Sequence, residues 1–229
     1  MSDWMTHSRV ADIVCAALPL DKTAFAVGSV APDCNIENAD WTAFVPPREV
    51  THFMRGKNKL TADCEGFYAQ YIAQRTFDDP RAHSYLCGYY AHLCADVAYG
   101  RFLRSTAQLD RMCARLHITP DPRDDGEARY QALKKTYSWD AIARDAIACA
   151  LEYTNAHPEG AYKSILCSTR DYPDYSGLLP QGGIARKLRI ITSAYDGFVP
   201  PKELMFMTAN EYDLFTAGTA EGVIRALKA

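Results

Sequence analysis

Tyr85, Tyr89, His92, Asp96, Tyr99 and Leu103 follow one another at alternating steps of four and three residues, the repeat of one face of an α-helix. Four of the six are bulky, which marks that face as interior. A histidine and an aspartate therefore point into a core. A buried carboxylate without a partner is costly, so the two must satisfy each other or share a ligand. H-x-x-x-D places both side chains on the same helix face, one turn apart. That geometry suits a His–Asp hydrogen bond and equally two donors to one metal ion. Gly88, one turn before His92, leaves room for a second segment to come close.

The same helical period runs through the chain. Val10, Ile13, Val14 and Ala17 form one face, closed by Pro19. Ala24–Val30 reads as a short buried helix stopped by Ala31-Pro32-Asp33. A polar stretch with Pro46-Pro47 precedes a helix expected over Ala62–Arg75, and Asp79-Pro80 is a good start for one running to Arg104. Further helices are expected over 124–136, 139–156, 184–195, 201–208 and 210–227. Residues 168–183 hold two prolines and three glycines and read as a long loop. Leu188-Arg189-Ile190-Ile191 has strand propensity, but nothing nearby would pair with it. No internal repeat or linker is visible. The expectation is an all-α fold: a single multi-helix domain over residues 1–229, with a metal pocket built between helices.

Composition narrows the class. Of the 229 residues, 48% are hydrophobic and 23% charged, ordinary globular values that argue against disorder. The net charge of −3 leaves no basic footprint for a nucleic-acid backbone. No window approaches the roughly 18 consecutive apolar residues of a membrane span. The polar start Met1-Ser2-Asp3-Trp4-Met5-Thr6-His7 is unlike a secretory signal, so a cytoplasmic location is expected. Eight cysteines stand singly, without a C-x-x-C pair and mostly among apolar neighbours, as reduced packing residues do.

Three other segments carry candidate donors at the ends of elements: His7 at the start of the first helix, Asp33 after Pro32, and His52 after Thr51. Donors from separate helices are how metal sites in helical bundles are assembled. Together, Ala24-Phe25-Ala26-Val27-Gly28-Ser29-Val30-Ala31-Pro32-Asp33, Thr51-His52-Phe53 and Gly88-Tyr89-Tyr90-Ala91-His92-Leu93-Cys94-Ala95-Asp96 resemble the zinc-dependent phospholipase C family, which is related to the three-zinc, single-strand-specific nucleases. The resemblance is clear over about 100 N-terminal residues. It continues loosely to Phe198-Val199-Pro200-Pro201-Lys202-Glu203-Leu204, similar to a late helix start.

The resemblance implies that Asp33, His52, His92 and Asp96 hold one zinc. It implies that His7 serves a neighbouring ion, to which the second oxygen of Asp96 bridges. In secreted relatives a processed N-terminal tryptophan completes that second site; Trp4 here is not the first residue, so this part of the pattern is expected to be incomplete. The family's remaining zinc uses two histidines and a glutamate, with an H-x-x-x-E pair that this chain lacks. One zinc, with a weaker second, is the expectation. The implied activity is hydrolysis of a small-molecule or lipid phosphoester, with Asp96 bridging and Asp33 either a ligand or the base that orients water. A non-catalytic protein that retained one metal site is the alternative.

Other residues have plainer readings. His83 is out of phase with His92 and reads as a helix-start surface residue, His117 and His157 sit in loops, and Cys94 points away from the stripe to pack. Tyr89 or Tyr172 is a candidate to line a substrate cleft. Arg101, Arg104, Arg186, Lys187 and Arg189 are candidates to neutralise a phosphate, though solvated helix faces explain them equally well.

Overall fold

Helix starts are set by aspartates. Asp3, Asp21, Asp63, Asp79 and Asp125 each accept a hydrogen bond from a backbone N–H in the first turn that follows, satisfying donors that a helix end leaves open. The computed structural model describes residues 3–73, 75–121 and 123–229. Over these the chain forms α1 (Trp4–Ala17), α2 (Lys22–Gly28), α3 (Arg48–Thr51), α4 (Cys64–Tyr71), α5 (Pro80–Arg104), α6 (Thr106–Arg115), α7 (Gly126–Ala156), α8 (Gly183–Ser193) and α9 (Ala209–Lys228). Single 3₁₀ turns lie at Ala31–Asp33 and Lys59–Thr61, and a π turn at Tyr162–Leu166. The only strands among the described residues are β1 (Ile36–Glu37) and β2 (Phe44–Val45), an antiparallel pair. The fold is all-α, and no helix among the described residues is long and apolar enough to cross a membrane.

Helix α5 is the axis. Its first half, with Tyr85, Tyr89 and Leu93, belongs to one apolar cluster shared with α2 and the middle of α1. Its second half, with Tyr99 and Leu103, belongs to another shared with α6, α7 and the start of α9. α2 crosses α5 with backbone on backbone. A Cβ at Gly28 would land on the Tyr85 carbonyl, and one at Gly88 on the Phe25 carbonyl. Glycine at both positions is what lets the two helices touch, as the place of Gly88 in the sequence suggests.

Several expected elements differ. The helices 124–136 and 139–156 form one run, α7, broken at Ser138, whose φ is 64°. The helix expected over 62–75 is α4, which ends at Tyr71; position 74 of that expectation, like Met1 and Ser2, lies outside the described residues. Residues 201–208 are not helical. Their backbone is taken up by side chains from elsewhere: Phe206 N–H donates to Asp145 Oδ2 (2.6 Å), Gln108 Nε2 donates to the Phe206 carbonyl (2.8 Å), and Arg115 Nε donates to the Met205 carbonyl (2.7 Å). Helices α3 and α6 and the β1–β2 hairpin are additions to what the sequence suggests.

Candidate metal centre

Four separate pieces of chain bring His7, Asp33, His52, His92 and Asp96 together. His7 comes from α1, Asp33 from the end of the first 3₁₀ turn, His52 from the residue capping α3, and His92 with Asp96 from α5. All are nearly sealed, from 0% exposed at His92 to 9% at Asp33. The contact of α2 with α5 presents the Ser29 carbonyl to His92, whose Nδ1–H donates to it at 2.8 Å. That bond leaves Nε2 as the ring nitrogen turned into the cluster. Nε2 is buried and faces Asp96 Oδ2 at 3.3 Å.

His52 Nε2 lies 3.1 Å from Asp33 Oδ1 and 3.8 Å from Asp96 Oδ2, while its Nδ1 meets the Thr51 hydroxyl at 3.1 Å. The other Asp96 oxygen, Oδ1, faces His7 Nε2 at 3.8 Å. The two Asp96 oxygens thus serve different histidines, the arrangement of a carboxylate that bridges. The His7 ring stacks on His92 with centroids 3.9 Å apart. His7, His92 and Asp96 form one group, and Asp33, His52 and His92 another, in which the donor atoms lie within 4.8 Å of one another, close enough to hold a metal ion. His83, His117 and His157 belong to neither group among the described residues.

Two residues outside the five expected donors complete the site, Trp4 and Lys59; of these, only Lys59 goes unmarked in the sequence. Trp4 Nε1–H donates to Asp33 Oδ2 at 2.9 Å. Lys59, in the second 3₁₀ turn, places its ammonium 2.5 Å from Asp96 Oδ2 and 3.5 Å from Asp33 Oδ1. Burial pushes both carboxyl groups up, but Lys59 and the neighbouring imidazoles outweigh it and hold them well below the usual carboxylate range. Burial, then the neighbouring His92, pushes His7 well below the usual imidazole value. Burial, then Lys59, brings His52 down to about 4. The site at neutral pH therefore holds ionised carboxylates and neutral imidazoles at His7 and His52, the protonation state in which such groups ligate metal.

Asp33 and Asp96 line two adjoining pockets that share Trp41, Phe44, Arg48 and Tyr99. Asp33 lines a pocket of about 260 Å³ with Trp4, Trp41, Arg48 and Tyr195. Asp96 and Lys59 line a groove of about 780 Å³ that also carries Arg48, Lys57, Arg104 and Lys134. Of the suggested phosphate-neutralising residues, Arg104 lines this groove, whereas Arg101 and Arg189 are exposed. Lys187, readable as part of a solvated face, is buried against Glu37 (3.4 Å) and the Trp41 ring. Tyr89 does not line a cleft: it is fully buried and its hydroxyl donates to the Thr51 carbonyl, bracing the residue before His52. Tyr172 packs on Tyr85 and Tyr175 instead. Comparison of the chain with protein-family models, curated proteins and solved structures gave no match.

Proposed function

We propose that this protein is a metal-dependent phosphoester hydrolase, with zinc as the ion and a small-molecule or lipid phosphodiester or monoester as substrate. The observation that carries the proposal is the pairing of His92 Nε2 with Asp96 Oδ2. With Nδ1 donating to the Ser29 carbonyl, Nε2 is the ring nitrogen turned into the cluster, where it lies 3.3 Å from Asp96 Oδ2 and where Asp33, His52 and His92 bring donor atoms within 4.8 Å of one another. Imidazole nitrogen with carboxylate oxygen is a donor set that zinc accepts. Asp33, His52, His92 and Asp96 would hold that ion, with His7 and Asp96 Oδ1 as the beginnings of a second site.

A zinc bound there would supply a Lewis acid and bring the pKa of a water towards about 7. The chain's own residues do the rest. Asp33 is the most exposed of these residues and lines the pocket, so its carboxylate is placed either to hold the ion or to orient a water beside it. Trp4 and His52 hold the two Asp33 oxygens in fixed directions. Arg48, Lys57, Arg104 and Lys134 give the groove a positive lining suited to a phosphate. All eight cysteines are free, in keeping with the reducing cytoplasm as the compartment.

The near-complete sealing of the donors favours a second reading, a non-catalytic site that holds one ion for stability. Elemental analysis and hydrolysis of bis(4-nitrophenyl) phosphate and 4-nitrophenyl phosphate separate the two. The expected result is at least one zinc per chain, lost in His92→Ala, with turnover abolished in Asp33→Asn. Bound zinc with no turnover on either ester would favour the second reading. Absence of zinc from the purified and zinc-reconstituted protein would overturn both.

A further inference from the structure

We propose that Lys59 is a resident counter-cation of this site. Its ammonium neutralises Asp33 and Asp96 in the metal-free protein and leaves Asp96 Oδ2 when a divalent ion binds, so that loading the metal frees Lys59 into the groove. The inference rests on the metal reading above.

The geometry sets up a competition. Lys59 Nζ lies 2.5 Å from Asp96 Oδ2 and 3.5 Å from Asp33 Oδ1. Those same two oxygens face His92 Nε2 at 3.3 Å and His52 Nε2 at 3.1 Å. An ion held by these four donors would sit at roughly 2 Å from each. The ammonium would then be a positive charge beside a dication in a nearly dry pocket, where screening is weak. Without the metal, removing the ammonium would leave two buried carboxylates close together and uncompensated. Lys59 is thus needed in one state and repelled in the other.

The fold gives it somewhere to go. Its side chain is 16% exposed, against 1% for that of Asp96, and it already lines the groove beside Arg104 and Lys134. The lysine stem is flexible and its ammonium is readily hydrated, so it can turn to water while the 3₁₀ turn stays in place. That turn is held independently: Asn58 Oδ1 accepts from Leu60 N–H at 3.0 Å, and the Asn58 carbonyl accepts from Thr61 Oγ1 at 2.6 Å.

Lys59→Met keeps most of the stem and removes the charge. Zinc titration by calorimetry should show the variant binding about tenfold tighter, or more, than the parent chain. With chelator present, the variant should melt below the parent, and zinc should close the gap. Equal or weaker zinc affinity in the variant would overturn the inference while leaving the metal site standing. No zinc binding by either chain would overturn both. Should the variant fail to fold, acylation of Lys59 in the parent, followed by mass spectrometry, still decides. Its rate should rise on adding zinc, and an unchanged rate would count against release.

Discussion

A backbone carbonyl orients His92: the Ser29 carbonyl accepts a hydrogen bond from Nδ1–H and leaves the other ring nitrogen turned on Asp96. His52 shows the accompanying electrostatics. It is packed against Asp33, Asp96, His92 and Lys59, and burial with the lysine charge brings it from a usual 6.5 to about 4. The sign of the consequence follows from proton counting. Between about 6.5 and 4 the unfolded chain carries a proton that the folded His52 refuses, so stability falls as pH falls through that window. Asp33 and Asp96, held below their usual values, add a loss of the same sign at lower pH, as their unfolded forms protonate first. The His52 displacement alone corresponds to about 3 kcal/mol between about 6.5 and 4. Denaturant unfolding of chelator-treated protein from pH 7 to 4.5 should show the decline, and His52→Gln should flatten it. Indistinguishable slopes in the two chains would contradict this account. That His7, Asp33, His52, His92 and Asp96 gather in one buried cluster is legible from sequence because histidine and aspartate are conspicuous on buried faces and at element ends. Lys59 is not, because a lysine in the polar run Gly56-Lys57-Asn58-Lys59 looks like any solvated loop residue. Only the path of the chain brings it over two buried carboxylates.

At the scale of elements, the α2–α5 crossing positions the donor set, and it depends on two glycines. A methyl group at Gly88 meets the Phe25 carbonyl, part of the backbone, so relief requires the helices to separate. Gly88→Ala should cost about 1–3 kcal/mol, the usual range for overpacking. It should also weaken zinc binding, because the Ser29 carbonyl that orients His92 moves with α2. Gly218→Ala on α9 is the control: nothing lies within 4 Å of its added carbon, so it should stabilise by about 0.5–1 kcal/mol. Chemical denaturation of both variants checks this, and a neutral Gly88→Ala would refute the tight crossing. Much of the element order is readable, since the stripe of α5 and the Asp79-Pro80 start are strong local signals. Two failures have physical reasons. Helix α6 buries only Gln108, Leu109, Met112 and Cys113 in a largely polar stretch, a narrow stripe that is easily passed over. Residues 201–208 have apolar spacing, but the Phe206 N–H donates to Asp145, and Gln108 and Arg115 donate to the Phe206 and Met205 carbonyls, claiming backbone groups that a helix would need. None of these three partners is visible from the local sequence.

At the scale of the molecule, α1, α5 and α9 each run through both apolar clusters. Met5 and Val14, Tyr99 and Leu93, and Tyr212 and Val223 belong to different clusters on the same helices. Neither cluster can come apart without disturbing helices that hold the other. The candidate donors lie on α1 and α5, at the end of α3 and on a turn next to α2, so an ion bound by them would tie together the helices on which both clusters depend. A ligand that binds only the folded state adds stability by mass action, about 4 kcal/mol when its free concentration is a thousandfold above Kd. For a chain of this size, each kcal/mol is worth about 2–4 °C in Tm. Zinc at that excess should therefore raise the melting temperature of the chelator-treated protein by about 8–16 °C. The shift should appear in a single calorimetric transition, because the shared helices couple α6 and α7 to the donor-bearing half. Two transitions, of which zinc moves only the lower or the upper, would mean that the clusters unfold separately and that the shared helices do not transmit stability between them. A shift near zero at saturating zinc would mean that the donors do not bind the ion.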